Sequence, residues 1–159
     1  MTASRWPGDD VSLEEAQAFF ESYRDAFNRL DGNAVADLWH RSSGITDTDT
    51  DIDCDGAGAT ARLSWWPDDA PMRANHIALC GVYRSQDYGR ADFHLDHHVQ
   101  MGTNHAFAHL HWTLKRGDGS LLQQFHTGYQ LMRTAQGPRV LLAVAHQENL
   151  SEMKPHAAQ

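Results

Sequence analysis

Apolar residues first recur with a helical period and then, beyond Gly89, alternate strictly. Ala16, Phe19, Phe20, Tyr23, Phe27 and Leu30 fall on one helical face. Ser12 and Glu15 supply an S-x-x-E capping box ahead of it, and Asp31-Gly32-Asn33 breaks it. A short second helix carries Val35, Leu38 and Trp39. Residues 45–56 read ITDTDTDIDCDG, with aspartate at every second position from Asp47 to Asp55. A turn at Gly56-Ala57-Gly58 leads into ATARLSWW, the expected hairpin partner. Asp68-Asp69-Ala70-Pro71 opens a third helix, with proline near its first turn. It runs to about Gln86, and its apolar face includes Ile77, Cys80 and Val82 or Tyr83.

The period-2 region predicts four strands, about 91–101, 104–115, 121–133 and 139–148, joined by turns at Gly102-Thr103, Gly117-Asp118-Gly119-Ser120 and Ala135-Gln136-Gly137-Pro138. Helices first and an antiparallel meander after them make an α+β fold, with the helices on one face of a curved sheet. Face consistency sets the register, because a one-residue slip exchanges the faces. A two-residue loop at Gly102-Thr103 sets Val99 opposite Ala106, Leu95 opposite Leu110 and Phe93 opposite Trp112. Pairing Arg116 with Leu121 sets Trp112 opposite Phe125, Leu110 opposite Thr127 and Ala108 opposite Tyr129. Phe93, Leu95, Val99, Met101, Leu110, Trp112, Leu114, Phe125, Tyr129 and Leu131 then share the face under the helices, with His97 the one polar exception. The opposite face carries Asp92, His94, Asp96, His98 and Gln100, then His105, Phe107, His109 and His111, then Gln124, His126 and Gln130. His94, His111 and His126 form one row, with Asp96 beside His109.

Length and composition place this pattern in one domain. The chain has 159 residues and 41% hydrophobic content, enough for a core of its own over about 12–148 with frayed ends. A formal net charge of -8 argues against nucleic acid and anionic membrane surfaces as partners. No apolar run is long enough to span a bilayer, and MTASRWPGDD lacks the apolar core of a secretory signal. Cys54 and Cys80 make neither a disulfide framework nor a C-x-x-C site, which fits a reducing cytoplasm. Eleven arginines against Lys115 and Lys154 hint at a GC-rich bacterial genome.

Two candidate chemistries can be read from the residues. DIDCDG at 51–56 copies the opening of a calcium EF-hand loop, but its twelfth position is Arg62 rather than a bidentate glutamate, and no helices flank it. The stripe is therefore read as a solvated strand edge, with Asp47 set apart because it sits where the strand leaves the helices. The second is the histidine face. His109-x-His111 with His94 or His126 on the next strand has the geometry of a β-sheet zinc site, with Asp96 as an outer-sphere partner. No Ser/His/Asp nucleophile signature, phosphate loop or dinucleotide fingerprint occurs.

The order helix, short helix, strand pair, helix and curved meander resembles the NTF2-like superfamily, closest to its SnoaL-like and ketosteroid-isomerase-like branch. FFESYRDAFNRLDGNAVADLWH is similar to that group's opening, and YQLMRTAQGPRVLLAVAHQEN resembles its last hairpin, whose final strand often ends near a histidine. The resemblance implies a cone with one pocket between helices and sheet. In ketosteroid isomerases a helix-one tyrosine and a protonated acid bind the oxyanion while an aspartate moves the proton. Laid on this chain, those positions fall on Tyr23, near Tyr129 and on Asp47, with His146 as the late-strand histidine. Trp39, Phe19, Phe27, His97, Leu110, Trp112 and Phe125 would line the pocket. The implied activity is cofactor-free acid/base isomerisation, cyclisation or hydration of a small apolar ligand. The alternatives are a non-catalytic ligand-binding or dimerisation module, and a zinc-binding protein using His94, His109, His111 and His126. The family's outer sheet face often joins two copies, so a homodimer through the histidine face is expected.

Overall fold

In the computed structural model, which describes residues 11–48 and 61–149, the elements run α1 (Leu13–Asn28), α2 (Gly32–Ala36), β1 (Trp39–Thr48), β2 (Ala61–Trp66), α3 (Asp69–Ser85), β3 (Tyr88–Met101), β4 (His105–Arg116), β5 (Leu121–Thr134) and β6 (Gly137–Asn149). The helices pack on one face of a curved, unclosed sheet, an α+β architecture. The sheet has six strands rather than four, in the order β2-β1-β6-β5-β4-β3. The β1–β2 hairpin joins the meander because β1 pairs in parallel with β6. That pairing covers backbone groups that β6 would otherwise present as a bare edge. The turn at Gly56-Ala57-Gly58, the stripe beyond Asp47 and the calcium-like segment lie outside the described residues.

Local chemistry sets the helix boundaries. Ser12 caps α1, its hydroxyl accepting the Glu15 N–H at 3.1 Å. The Glu15 carboxylate reaches across to β5 and accepts from Arg133 at 2.6 Å, so this residue serves as a tertiary link. Asp31 caps α2 by accepting the Ala34 N–H at 3.0 Å. Gly32 follows because a Cβ there would lie 2.5 Å from the Ile77 Cα on α3. Trp39 opens β1 instead of closing the second helix. It pairs with Val140, whose N–H donates to the Leu38 carbonyl at 3.0 Å.

Most of the expected register holds. Leu95 faces Leu110 and Phe93 faces Trp112; Trp112 faces Phe125, Leu110 faces Thr127 and Ala108 faces Tyr129. Two bulges change the rest. At the end of β4, Lys115 rather than Arg116 pairs with Leu121. In β3, Leu95 pairs with Leu110 but His97 already pairs with His109, leaving Asp96 as the extra residue. A bulge re-aims the residues after it. His97, Val99 and Met101 therefore turn to the outer face, where Val99 and Met101 are exposed, and Val99 faces Phe107 rather than Ala106. His98 turns inward, its Nε2 2.9 Å from the Val11 carbonyl.

The core lies between α1 and the inner face of β3–β5. Phe20 packs against Tyr129 with ring centroids 4.7 Å apart, and Tyr23 lies 6.0 Å from Trp112. Asn28, at the end of α1, fastens the helix to β3: its Oδ1 accepts from the Ala91 N–H and the Tyr88 hydroxyl, each at 2.8 Å.

Candidate functional site

A cavity of about 310 Å³ opens between α1, α3 and the inner sheet face, and the β1–β2 hairpin forms its rim. Tyr23, Phe27, Trp39, Trp112, Phe125 and Tyr129 are among its walls. Phe19 and Leu110 are buried in the core but do not line it. His97 is excluded by the Asp96 bulge, which places it on the other side of the sheet.

Two phenols dominate the floor. The Trp39 indole N–H donates to the Tyr23 hydroxyl at 3.4 Å, and that of Trp112 donates to the Tyr129 hydroxyl at 3.0 Å. The two tyrosine rings meet edge to face, 6.0 Å between centroids. Each oxygen already accepts an indole proton, which orients the phenol to give its own proton away. Burial pushes both hydroxyls well above the ordinary tyrosine range. The Tyr129 charge adds to the rise at Tyr23, while the indole bonds pull both the other way, joined at Tyr129 by hydrogen bonds from Thr127 and Tyr23. Both remain protonated donors at neutral pH.

Asp47 lines the same cavity at its rim. It is not walled off from water: its side chain is 28% exposed, and Arg62 holds it through two bonds, Nε to Oδ1 at 3.2 Å and a terminal nitrogen to Oδ2 at 3.0 Å. The carboxylate is thus half of an ion pair at the mouth, because Arg62 sits directly opposite on β2.

His146 faces away from the cavity. It pairs with His126 across β5 and β6, extending the predicted row to His94, His111, His126 and His146 on four strands. His111 stacks on His126 at 4.5 Å and 8°. Nε2 of His109 lies 2.9 Å from Nε2 of His146. Asp96 sits inside the cluster, its Oδ1 2.7 Å from His94 Nδ1 and its Oδ2 3.6 Å from His109 Nδ1 and 3.9 Å from His126 Nδ1. The His94 hydrogen bond holds the Asp96 carboxyl below the usual range. Burial, reinforced by His146 and His126, lowers the pKa of His109 and keeps its ring neutral.

Three groups escaped the sequence reading. Arg62 was weighed only as a failed calcium ligand, although drawing the hairpin register sets it against Asp47. Tyr83, whose hydroxyl donates to Gln123 Oε1 at 3.2 Å inside the cavity wall, was visible only as one of two apolar options on α3. His76, on α3, is 1% exposed and lies 4.5 Å from the Trp39 ring. Its helical spacing from Met72 and Cys80 was its only signal.

Solved structures share this fold at low identity. A domain of unknown function with a cystatin-like fold from Nostoc punctiforme is 12% identical, with TM-score 0.63, covering 89% of this chain and 78% of its own. A ketosteroid isomerase-like protein from Erwinia carotovora atroseptica is 15% identical, with TM-score 0.57, over 88% and 96%. An NTF-2-like protein of unknown function from Shewanella oneidensis is 12% identical, with TM-score 0.60, over 83% and 96%. No curated protein matches the chain. The family model described as NTF2-like protein (DUF6841) matches residues 14–148, and the chain belongs to that family.

Proposed function

We propose that the cavity binds a small, largely apolar carbonyl compound and catalyses cofactor-free proton transfer next to that carbonyl. The observation that carries this reading is the pair of buried phenols, each oriented by an indole to donate. Such donors in an apolar cavity, with Tyr23 hydrogen-bonded to Tyr129, stabilise the negative charge of an enolate more than that of a neutral ketone. Asp47 takes the proton after Arg62 swings aside; Arg62 is half exposed and on a hairpin. The likeness in fold to a ketosteroid isomerase-like protein is in keeping with this chemistry. A second reading, ligand binding without turnover, is favoured by the Asp47–Arg62 pair itself, since a carboxylate held by two guanidinium bonds is a poor base.

The test uses the elementary step. Cyclic ketones are incubated with the protein in deuterated water, and exchange at the carbon beside the carbonyl is followed by NMR. Exchange should be catalysed by the natural sequence, abolished in Asp47→Asn and slowed about tenfold or more in Tyr129→Phe, the scale of one lost charge-assisted hydrogen bond. Binding of 2-naphthol, whose anion is planar and enolate-like, separates the two readings. Naphthol bound through the tyrosines without any ketone exchange leaves the binding module; equal affinity in Tyr23→Phe, Tyr129→Phe and the natural sequence removes the site altogether.

A further inference from the structure

The outer sheet face carries a second site, unrelated to the cavity. We propose that Asp96, His109 and His126 bind one first-row divalent transition metal per chain, through Asp96 Oδ2 and the Nδ1 atoms of the two histidines. One ligand atom from each of these residues lies within 4.8 Å of the others. The separations from Oδ2, 3.6 and 3.9 Å, lie near the ~3.3 Å between ligands around a tetrahedral zinc, and turning the two imidazoles out of their 16° stack aims both Nδ1 atoms at one ion. The two Nδ1 atoms are buried and, among the described residues, have no hydrogen-bond partner. A buried imidazole nitrogen without a partner is costly, and a metal removes that cost at both rings.

The surroundings fit an outer sphere. His94 occupies Asp96 Oδ1 at 2.7 Å, leaving Oδ2 for the ion. A metal on His109 Nδ1 fixes that ring's proton on Nε2, where it donates to His146 Nε2 at 2.9 Å. That is the second hydrogen bond which metal-bound histidines almost always make. Asp96 is therefore a ligand rather than an outer-sphere partner, and His94 moves to the supporting role. The bulge supplies this arrangement: by adding Asp96 to β3 it sets a carboxylate between the histidine rows. Two histidines and one carboxylate satisfy zinc or ferrous iron and leave coordination positions open to water or a small anion. His146 acts as a positioning residue through His109.

Zinc is the probe. Full-length protein stripped by chelator is titrated with zinc against a chromogenic chelator, and native mass spectrometry counts the ions. One zinc per chain is expected, with affinity falling at least tenfold in Asp96→Asn and in His126→Ala and unchanged in His105→Gln, on the same face but outside the cluster. His146→Phe should weaken binding, and His146→Gln, which can still accept from His109, should restore part of it. Circular dichroism of the stripped variants checks folding. Cobalt substitution gives an independent reading, since a nitrogen–oxygen site of low coordination number shows visible bands that both ligand variants should lose. Absence of stoichiometric zinc in the natural sequence overturns the proposal. So does undiminished binding in folded Asp96→Asn and His126→Ala.

Discussion

His76 is an imidazole that the fold holds neutral. Neither ring nitrogen has a hydrogen-bond partner among the described residues, and the ring lies between Trp39 and Trp66 at 4.5 and 6.2 Å. Burial, helped by the Arg73 charge one turn away, pushes its pKa down to about 4. In the unfolded chain an ordinary histidine titrates near 6.5. The folded form therefore binds this proton less readily, and the stability tied to the neutral ring is complete above pH ~6.5 and lost as the pH falls towards 4. Integrated over that shift, about 3 kcal/mol disappears. Urea melts at pH 7 and pH 5 should show about 2 kcal/mol of that loss, and His76→Leu should flatten the slope while removing two unpartnered polar atoms at neutral pH. An unchanged pH slope in the leucine variant would mean that the acid sensitivity arises elsewhere.

At the scale of elements, close approach decides the helical layer. α2 has only five residues and cannot hold itself; it is fixed by Asp31 at its start, by α3 beneath it and by Arg73, which binds both Asp37 and Asp69 at 2.8 and 3.0 Å. Gly32 meets the backbone of Ile77, which cannot rotate away. Gly32→Ala should cost about 1–3 kcal/mol, the range for overpacking, read as a lower urea midpoint with an unchanged slope. Elements whose signal is local were legible in the sequence. The α1 face, its Ser12 cap and the Trp112–Phe125 and Ala108–Tyr129 pairings follow from periodicity and turn length. What escaped depends on non-local pairing. Nothing in the alternation of β1 and β6 announces that they run side by side in parallel, so the sheet was read as four strands and Trp39 as helical. The Asp96 bulge was equally hidden, because DFHLDHHV alternates well enough in either phase. Its consequence was large: His97 left the cavity, and Asp96 became the centre of the histidine cluster. Tyr23, Tyr129, Trp39 and Trp112 do line the cavity, while setting Arg62 against Asp47 needed the hairpin register.

The cavity and the histidine cluster lie back to back on one sheet. Along β4 and β5 the chain alternates between the two faces: Leu110 and Trp112 point inward while His109 and His111 point outward, and the inward Phe125 and Thr127 flank the outward His126. No side chain belongs to both sites. Sites that share no partner and no mobile element usually combine additively, within about 0.5 kcal/mol, and coupling across the sheet needs an element with two arrangements that both ligands bias. β4 and β5 offer none, because each is paired on both sides along most of its length. Zinc should therefore leave the 2-naphthol affinity within about twofold, which is that same 0.5 kcal/mol limit. Asp47→Asn should leave zinc affinity intact, and Asp96→Asn should leave naphthol binding intact. Titrating naphthol with and without saturating zinc, and zinc with and without saturating naphthol, measures the coupling from both directions, and the two values must agree by linkage. A larger coupling would assign the sheet a second conformation, and the first place to seek it is the Asp96 bulge, where the ladder between β3 and β4 is already interrupted.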